Sequence, residues 1–315
     1  MAVNYENGKM AGPDQLAAVA QRAEKLGFYG ILSGDHIALP DKLKTKYPYE
    51  RMGDASASGS APSWDDYTEQ LTTQAFLAAK TTQIHLVTGI MVLPYRNPVL
   101  AAKMLASIDV LSKGRLIAGV GIGWMKEEFE ALRTPPFEER GKVATEYIRL
   151  FRELWTKDHP DFQGKYYTVS GIKFAPKPVQ KPHPPIWVGG ESPGAMRRAA
   201  ALGNAWFPIG GRQDYPLDDL QQLKVSIDKL VKYVKEADRV PSEVEIGYWA
   251  TQFKMVEGST SNELFVGSAD KISSNIMDCE KLGVNYIIFD FLAHDVEDTL
   301  DNLDKFARDI MPRVK

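Results

Sequence analysis

The sequence contains a single cysteine, Cys279, in 315 residues. A lone thiol can close no internal disulfide and build no cysteine-based zinc centre. Its neighbours Ile276, Leu282 and Gly283 place it near a helix end as a small, inert core residue without a thiolate-stabilising partner. Histidine is scarce too, with five residues and neither His-x-His nor His-Glu-x-x-His spacing. A metal-dependent hydrolase is therefore an alternative without a ligand set, and no metal site is assigned. No run approaches the roughly 18 apolar residues that span a bilayer, and the first ten residues lack the apolar stretch of a secretion signal. The expectation is a soluble, cytoplasmic protein without a membrane partner. Positive charge is not in excess either: Lys+Arg number 38 against 41 Asp+Glu, a net charge of −3. Nothing is left over to neutralise a phosphate backbone, so nucleic acid is not an expected partner.

What is present is the balance of an ordinary folded protein, 44 % hydrophobic and 25 % charged residues, which excludes a disordered or collagen-like chain. The length suits either two domains of roughly 150 residues or one large α/β barrel. Periodicity decides between them. Apolar runs at 28–32, 84–92, 116–120, 185–188, 205–209, 244–250 and 285–289 read as strands buried on both faces. Between them lie helices with recognisable ends. Pro13 and Asp14 open one that carries Leu16, Val19, Ala20, Ala23 and Leu26 on one face and closes at Gly27. Asn97 caps a second, with Pro98 in its first position and Leu100, Met104, Ile108 and Leu111 facing inward. Ser192 and Pro193 start a third that ends at Gly203. Ser268 caps a fourth, carrying Ile272, Ile276, Cys279 and Leu282 to the stop at Gly283. Strand and helix alternating over nearly the whole chain demand a parallel sheet with helical crossovers. The expected fold is α/β, a single (β/α)8 barrel domain over 1–315, in which residues 1–5 serve as a short first strand.

Two segments interrupt this rhythm. Residues 42–64 follow strand two without periodicity, and a loop of that length is functional or mobile. Tyr47, Tyr49 and Trp64 in it either line an apolar pocket or fold the loop onto the barrel. Residues 156–184 read as an insertion between strands four and five, with a short hairpin at 162–167 and prolines that forbid a helix. Substrate choice is expected to reside in these two loops.

Active sites in this architecture sit on the loops that follow the strands. Strand two runs into Ser33-Gly34-Asp35-His36. A histidine there either exchanges protons near neutral pH or is bonded to a backbone carbonyl. His85, His159, His183 and His294 occupy a strand start, the insertion and a helix entrance, and are poorer candidates. Gly119-Val120-Gly121-Ile122-Gly123-Trp124 follows a strand, but the dinucleotide fingerprint G-x-G-x-x-G needs glycine where Trp124 stands, so the Rossmann reading fails. Glycines there suit the close approach of a flat ligand, with Trp124 either an aromatic surface for it or a core residue, and Glu127 and Glu128 open the next segment. Gly189-Gly190-Glu191-Ser192-Pro193 leads a strand through two glycines into a helix N-terminus, which makes a phosphate cradle unless Ser192 is only the helix cap. Gly210-Gly211-Arg212 follows the next strand, and phosphate sites on barrels commonly combine two late loops. A phosphorylated cofactor is the natural inference.

These segments together resemble the luciferase-like monooxygenase superfamily, flavin- or deazaflavin-dependent oxidoreductases on a (β/α)8 barrel. The resemblance runs through Ala23-Glu24-Lys25-Leu26-Gly27-Phe28, Ser33 to His36, Val87-Thr88-Gly89-Ile90-Met91-Val92 and Arg96-Asn97-Pro98-Val99. It continues through Asp109 to Arg115, Gly119 to Trp124 and Lys181 to Ser192. The run Arg197-Arg198-Ala199-Ala200, then Gly203-Asn204-Ala205-Trp206, is similar to the coenzyme F-420-dependent branch. The resemblance implies an enzyme that uses coenzyme F-420, which that branch favours, or reduced FMN, for hydride transfer or monooxygenation of a small organic substrate. It implies a cis peptide between Gly89 and Ile90 against the cofactor ring. It also implies phosphate contacts at Gly189, Gly190, Glu191, Ser192, Ile209, Gly210 and Arg212, and a catalytic role for His36. A homodimer and a separate reductase supplying reduced cofactor are further implications. The sugar-phosphate dehydrogenases of the superfamily have Glu where Trp124 stands and Trp shortly after the histidine, where Ile37, Ala38 and Leu39 occur, so that activity is not expected. A flavin-binding barrel without turnover, a store or sensor, is the second alternative.

Overall fold

The computed structural model of the chain describes residues 2–4, 12–49, 68–293 and 295–314. Eight strands form the barrel: β1 (Ala2–Asn4), β2 (Gly30–Ser33), β3 (His85–Thr88), β4 (Leu116–Gly121), β5 (Ile186–Gly189), β6 (Ala205–Phe207), β7 (Glu245–Ala250) and β8 (Tyr286–Asp290). Each pairs in parallel with the next, and β8 pairs with β1, so the sheet closes on itself. Three residues suffice for β1, because Val3 stands in register with Ile31 on one side and Phe289 on the other. Around the barrel run α1 (Pro13–Leu26), α2 (Gln70–Lys80), α3 (Pro98–Leu111), α4 (Lys126–Leu132), α5 (Arg140–Thr156), α6 (Pro193–Leu202), α7 (Leu220–Glu236), α8 (Ala269–Lys281) and α9 (Val296–Asp309).

Helix ends follow the local chemistry of the sequence. Gly27 takes φ +82° at the end of α1, a left-handed position that costs glycine nothing. Asn97, Ser192 and Ser268 each accept a hydrogen bond from a first-turn N–H of α3, α6 and α8, the task of an N-cap. Cys279 is buried on α8, and burial pushes its thiol up to about 12, which leaves it an inert core group.

Two expectations about this region are corrected. The apolar run 84–92 is not one strand: β3 ends at Thr88, a cis peptide joins Gly89 and Ile90, and Met91–Val92 pairs separately with β4. The inward face of α3 is also different. Leu100 and Leu111 are 56 % and 62 % exposed, while Ala101, Ala102, Leu105, Ala106 and Ile108 are buried. The small alanine row lets α3 pack closely between α2 and α5, so close approach rather than side-chain size selects the buried face.

The barrel interior is filled by Leu32, Val87, Ile117, Trp187, Ala205, Phe207, Ile209, Trp249 and Ile288, residues contributed by strands around the circle. A second and larger core lies between barrel and helices. At the N-terminal end, Arg115 donates to Ser112 O, Thr81 Oγ1, Ile84 O, Ala78 O and Thr81 O. The segment 109–115 is therefore a structural plug remote from the catalytic end. In the 156–184 insertion, Phe162–Gln163 and Thr168–Val169 form the expected antiparallel hairpin. It is held outside the barrel, where Glu146 accepts from the backbone N–H groups of Lys165, Tyr166 and Tyr167 at 2.8 Å.

One ion pair fixes the exit of β2. Arg96 donates to both oxygens of Asp35 at 2.7 Å, and Asp35 also accepts from Val92 N at 2.8 Å. Burial works against the guanidinium charge, but the bonds to Asp35 and Glu69 outweigh it and hold Arg96 above its ordinary value. Asp35 is fully buried, so removing Arg96 would strand a charge. Arg96→Ala is expected to lower unfolding free energy by about 3–5 kcal/mol. Arg96→Lys should recover only part, because an ammonium cannot engage both oxygens in a fork. Chemical denaturation checks this, and a loss under about 1 kcal/mol, the worth of a surface pair, would contradict it.

Candidate active site

The loops that leave β2 to β6 meet over the C-terminal end of the barrel. His36 lies three residues beyond β2, and its partner comes from the first turn of α4: Nδ1 is 2.8 Å from Glu128 Oε2. The same buried carboxylate accepts from Tyr95 Oη at 2.9 Å, Ile37 N at 2.8 Å and Ala38 N at 3.1 Å. Burial pushes Glu128 up, yet the bonds from His36 and the two backbone N–H groups outweigh it and hold the carboxyl below its ordinary value. An ionised carboxylate can only accept, so Nδ1 of His36 carries the hydrogen and the imidazole is turned with Nε2 away from Glu128. Asp35, adjacent in sequence, is committed to Arg96 instead.

Trp124 is half-buried and close to this pair, with its ring 6.4 Å from that of His36 in an edge arrangement. Tyr47 stands edge-on to Trp124 at 4.9 Å and to Tyr49 at 5.7 Å. These tyrosines belong to a strap, residues 40–49, anchored at both edges of the mouth. On one side Glu127 accepts from Lys44 N at 2.7 Å, Thr45 N at 2.9 Å and Thr45 Oγ1 at 2.7 Å. On the other, Tyr49 Oη donates to Glu191 Oε2 at 3.2 Å, and Tyr49 forms an antiparallel bridge with Arg212. Residues 50–64 of the expected loop, including Trp64, lie outside the described residues, as does His294.

Gly89, Ile90, Gly121 and Gly189 form one side of the mouth. A Cβ on Gly121 would collide with the Ile90 side chain, and one on Gly189 would stand 2.8 Å from Ile90 Cδ1. The glycines on β4 and β5 therefore give Ile90 its place, a role for them closer to hand than ligand approach. Gly190 takes φ +106°, and Ser192 Oγ accepts from Ala195 N at 3.2 Å as the cap of α6. The Glu191 carboxylate turns into the protein, where it accepts from Ile209 N at 2.9 Å and Arg212 Nη1 at 3.2 Å. Burial pushes this carboxyl up, with Ile209 N and Arg212 opposing. Gly210 N donates to Trp249 O at 3.0 Å and Gly211 N to Asp218 Oδ1 at 2.7 Å.

All ten cofactor residues expected from the sequence thus lie on the exits of β3 to β6, with His36 on the exit of β2. The sequence expectation does not include Tyr95 or the pairing of Glu128 with His36. Their partners are remote in sequence, and the signal for Glu128 was only its place after β4. His85 bonds Tyr29 O at 3.0 Å and His183 bonds Pro184 O at 2.8 Å, so both serve the scaffold. Among the described residues no group of three or more His, Cys, Asp or Glu is placed to hold a metal ion, and no helix is long and apolar enough to cross a membrane.

Comparison with known proteins assigns this architecture. The family model for luciferase-like monooxygenase matches residues 2–253. An uncharacterised protein of Mycobacterium tuberculosis is 31 % identical over 258 residues, covering 79 % of this chain and 83 % of that protein. The FMNH2-dependent dimethylsulfone monooxygenase of Pseudomonas putida is 33 % identical over 168 residues, 53 % of this chain and 44 % of that one. The F420-dependent glucose-6-phosphate dehydrogenase of Amycolatopsis mediterranei is 24 % identical, with 100 % of this chain and 99 % of that one covered. Among solved structures, the coenzyme F420-dependent tetrahydromethanopterin reductase of Methanopyrus kandleri shares the fold with a TM-score of 0.73 at 16 % identity, covering 100 % and 98 % of the two chains. With four-fifths of its length matched by one family model, the chain belongs to the luciferase-like monooxygenase family and is an oxidoreductase.

Proposed function

We propose that the chain binds coenzyme F-420 or reduced FMN at the C-terminal mouth of the barrel and uses it on a small organic substrate, with His36 as the proton-exchanging residue. The observation that carries this is the His36–Glu128 pair, an imidazole oriented by a buried carboxylate beside the Trp124 ring. The mouth also suits a flat cofactor in a second respect: Trp249 Nε1 is a buried donor without an acceptor among the described residues. When bound, the cofactor supplies the redox step, hydride transfer from the deazaflavin or oxygen activation by reduced FMN.

The residues of this chain supply orientation, exclusion of water and a proton path. Gly89 and Ile90 form the platform for the ring, and Trp124 flanks it. Gly189, Gly190 and Ser192 offer backbone to the phosphate at the start of α6. Glu191 acts through the neighbouring loop, holding Ile209, Gly210 and Arg212 in place. Glu128 fixes the His36 tautomer and ring orientation, leaving Nε2 as the atom that exchanges a proton. Tyr47 and Tyr49 in the strap shield the mouth from water. The resemblance of residues 197–206 to the F-420-dependent branch favours the deazaflavin. A homodimer and, for FMN, a separate reductase that delivers it reduced complete the proposal.

His36→Ala is expected to retain cofactor with affinity within about twofold and to lose turnover by about 10² to 10⁴, the usual worth of a proton-transfer residue. Glu128→Gln should lower kcat with little change in KM. Unchanged turnover in His36→Ala removes this residue from the mechanism. A second prediction concerns the strap. Burial raises Glu127 slightly, but the bonds from Thr45 and Lys44 outweigh it and lower the carboxyl to about 2. A depressed carboxylate stabilises above its ordinary value of 4.5 and loses that contribution as pH falls towards about 2. The near-UV circular dichroism of the Tyr47–Trp124 contact should therefore weaken between pH 4.5 and 2 in the wild type. Glu127→Gln should show the weakened signal already at neutral pH, and a variant indistinguishable from wild type there would refute the anchor.

A further inference from the structure

Tryptophan is both bulky and polar at one atom, and when buried that atom usually finds an acceptor. Trp155 Nε1 donates to Ala102 O at 3.0 Å, and Trp206 Nε1 donates to Gly190 O at 2.9 Å. Trp249 does neither. It is only 6 % exposed, and its Nε1 is buried with no acceptor among the described residues. Such a group loses its hydration and regains nothing in exchange.

The strand, the neighbouring loop and an adjacent ring all hold this indole. Trp249 is the penultimate residue of β7, so its side chain stands at the mouth end of the barrel interior, in one core with Leu32, Phe207 and Ile209. Its backbone is fixed to the exit of β6: Trp249 N donates to Pro208 O at 2.9 Å, and Trp249 O accepts from Gly210 N. The indole lies parallel to the Phe207 ring, 11° between planes and 6.2 Å between centroids. Ile90 and Tyr49 pack against the same core from the mouth. A rigid aromatic plane with an unused donor thus lies in the interior core directly beneath the mouth, with Ile90 packed against that core.

The geometry points to Trp249 as a cofactor-binding residue whose Nε1–H donates to a ring carbonyl oxygen of the flavin-type group. This rests on the cofactor assignment above. Ile90, Ile209, Phe207 and Leu32 make the surroundings apolar, and a phosphate or carboxylate there would lose its hydration without a countercharge. A neutral carbonyl on a flat aromatic ring meets both conditions, apolar contact and one hydrogen bond. The isoalloxazine and deazaflavin rings carry the same two carbonyl oxygens on their pyrimidine portion, so the inference holds for either cofactor.

The test is an indole ¹⁵N–¹H spectrum of the full chain, titrated with FMN and, separately, with coenzyme F-420, and with Trp249 identified by the signal missing in Trp249→Phe. Binding is followed independently by quenching of cofactor fluorescence. The Trp249 proton is expected to move downfield on binding, and Trp249→Phe should weaken binding about threefold to tenfold, the worth of one hydrogen bond. Should Trp249→Phe fail to fold, the wild-type titration decides alone, with the signal assigned by elimination against the other tryptophans. A cofactor that binds while the Trp249 signal stays in place overturns this inference and leaves the cofactor assignment standing. Absence of binding by either cofactor overturns both.

Discussion

The buried carboxylate of Glu128 is the constraint on which the mouth of this barrel depends. An ionised carboxylate taken out of water costs several kcal/mol unless its lone pairs are used. Here they are met by His36, Tyr95, Ile37 N and Ala38 N, all within 3.1 Å. These donors come from the exits of β2 and β3, while Glu128 itself follows β4. One group therefore ties three consecutive loops together and, in doing so, fixes which nitrogen of His36 carries hydrogen. The Asp35–Arg96 pair acts in the same way at the preceding residue, holding the exit of β2 against the segment after β3.

The two ends of the barrel divide the work. At the N-terminal end, Arg115 spends its guanidinium on backbone carbonyls and Asp109 accepts from Gln180, so the polar groups there close the scaffold. At the C-terminal end, polar groups converge from different loops, and glycines on β4 and β5 make way for Ile90. This is the usual division in (β/α)8 enzymes, where stability resides below and chemistry above. The 162–169 hairpin is fastened to α5 outside this cluster, whereas the 40–49 strap crosses the mouth between Glu127 and Glu191. Of the two loops expected to shape substrate choice, the strap is the one in contact with Trp124.

Much of the fold was legible because it is written in local patterns. All eight strands fall within their apolar runs to within two residues, apart from the run that breaks at Gly89–Ile90, and the caps at Asn97, Ser192 and Ser268 need only neighbours in sequence. The family resemblance also located the segments that reach the mouth. The inward face of α3 departs from the sequence expectation because side-chain size does not decide burial there: the leucines at 100 and 111 are exposed, and a row of buried alanines permits close packing. Glu128 with His36 spans 92 residues and Glu191 with Ile209 spans 18; no periodicity announces such pairs, since tertiary closure brings them together. Trp249 read only as one more residue in an apolar strand. Its unused donor is a property of the folded barrel, where burial removes water from Nε1 and no acceptor among the described residues replaces it.

The central claim, that a flavin-type ring occupies this mouth, is tested most directly by isolating the chain anaerobically after offering reduced FMN and coenzyme F-420 in competition. The absorbance spectrum and mass of the retained molecule are then recorded. Stoichiometric retention of one of the two, with the deazaflavin favoured, is expected. A protein that retains neither, while remaining folded, would contradict the claim.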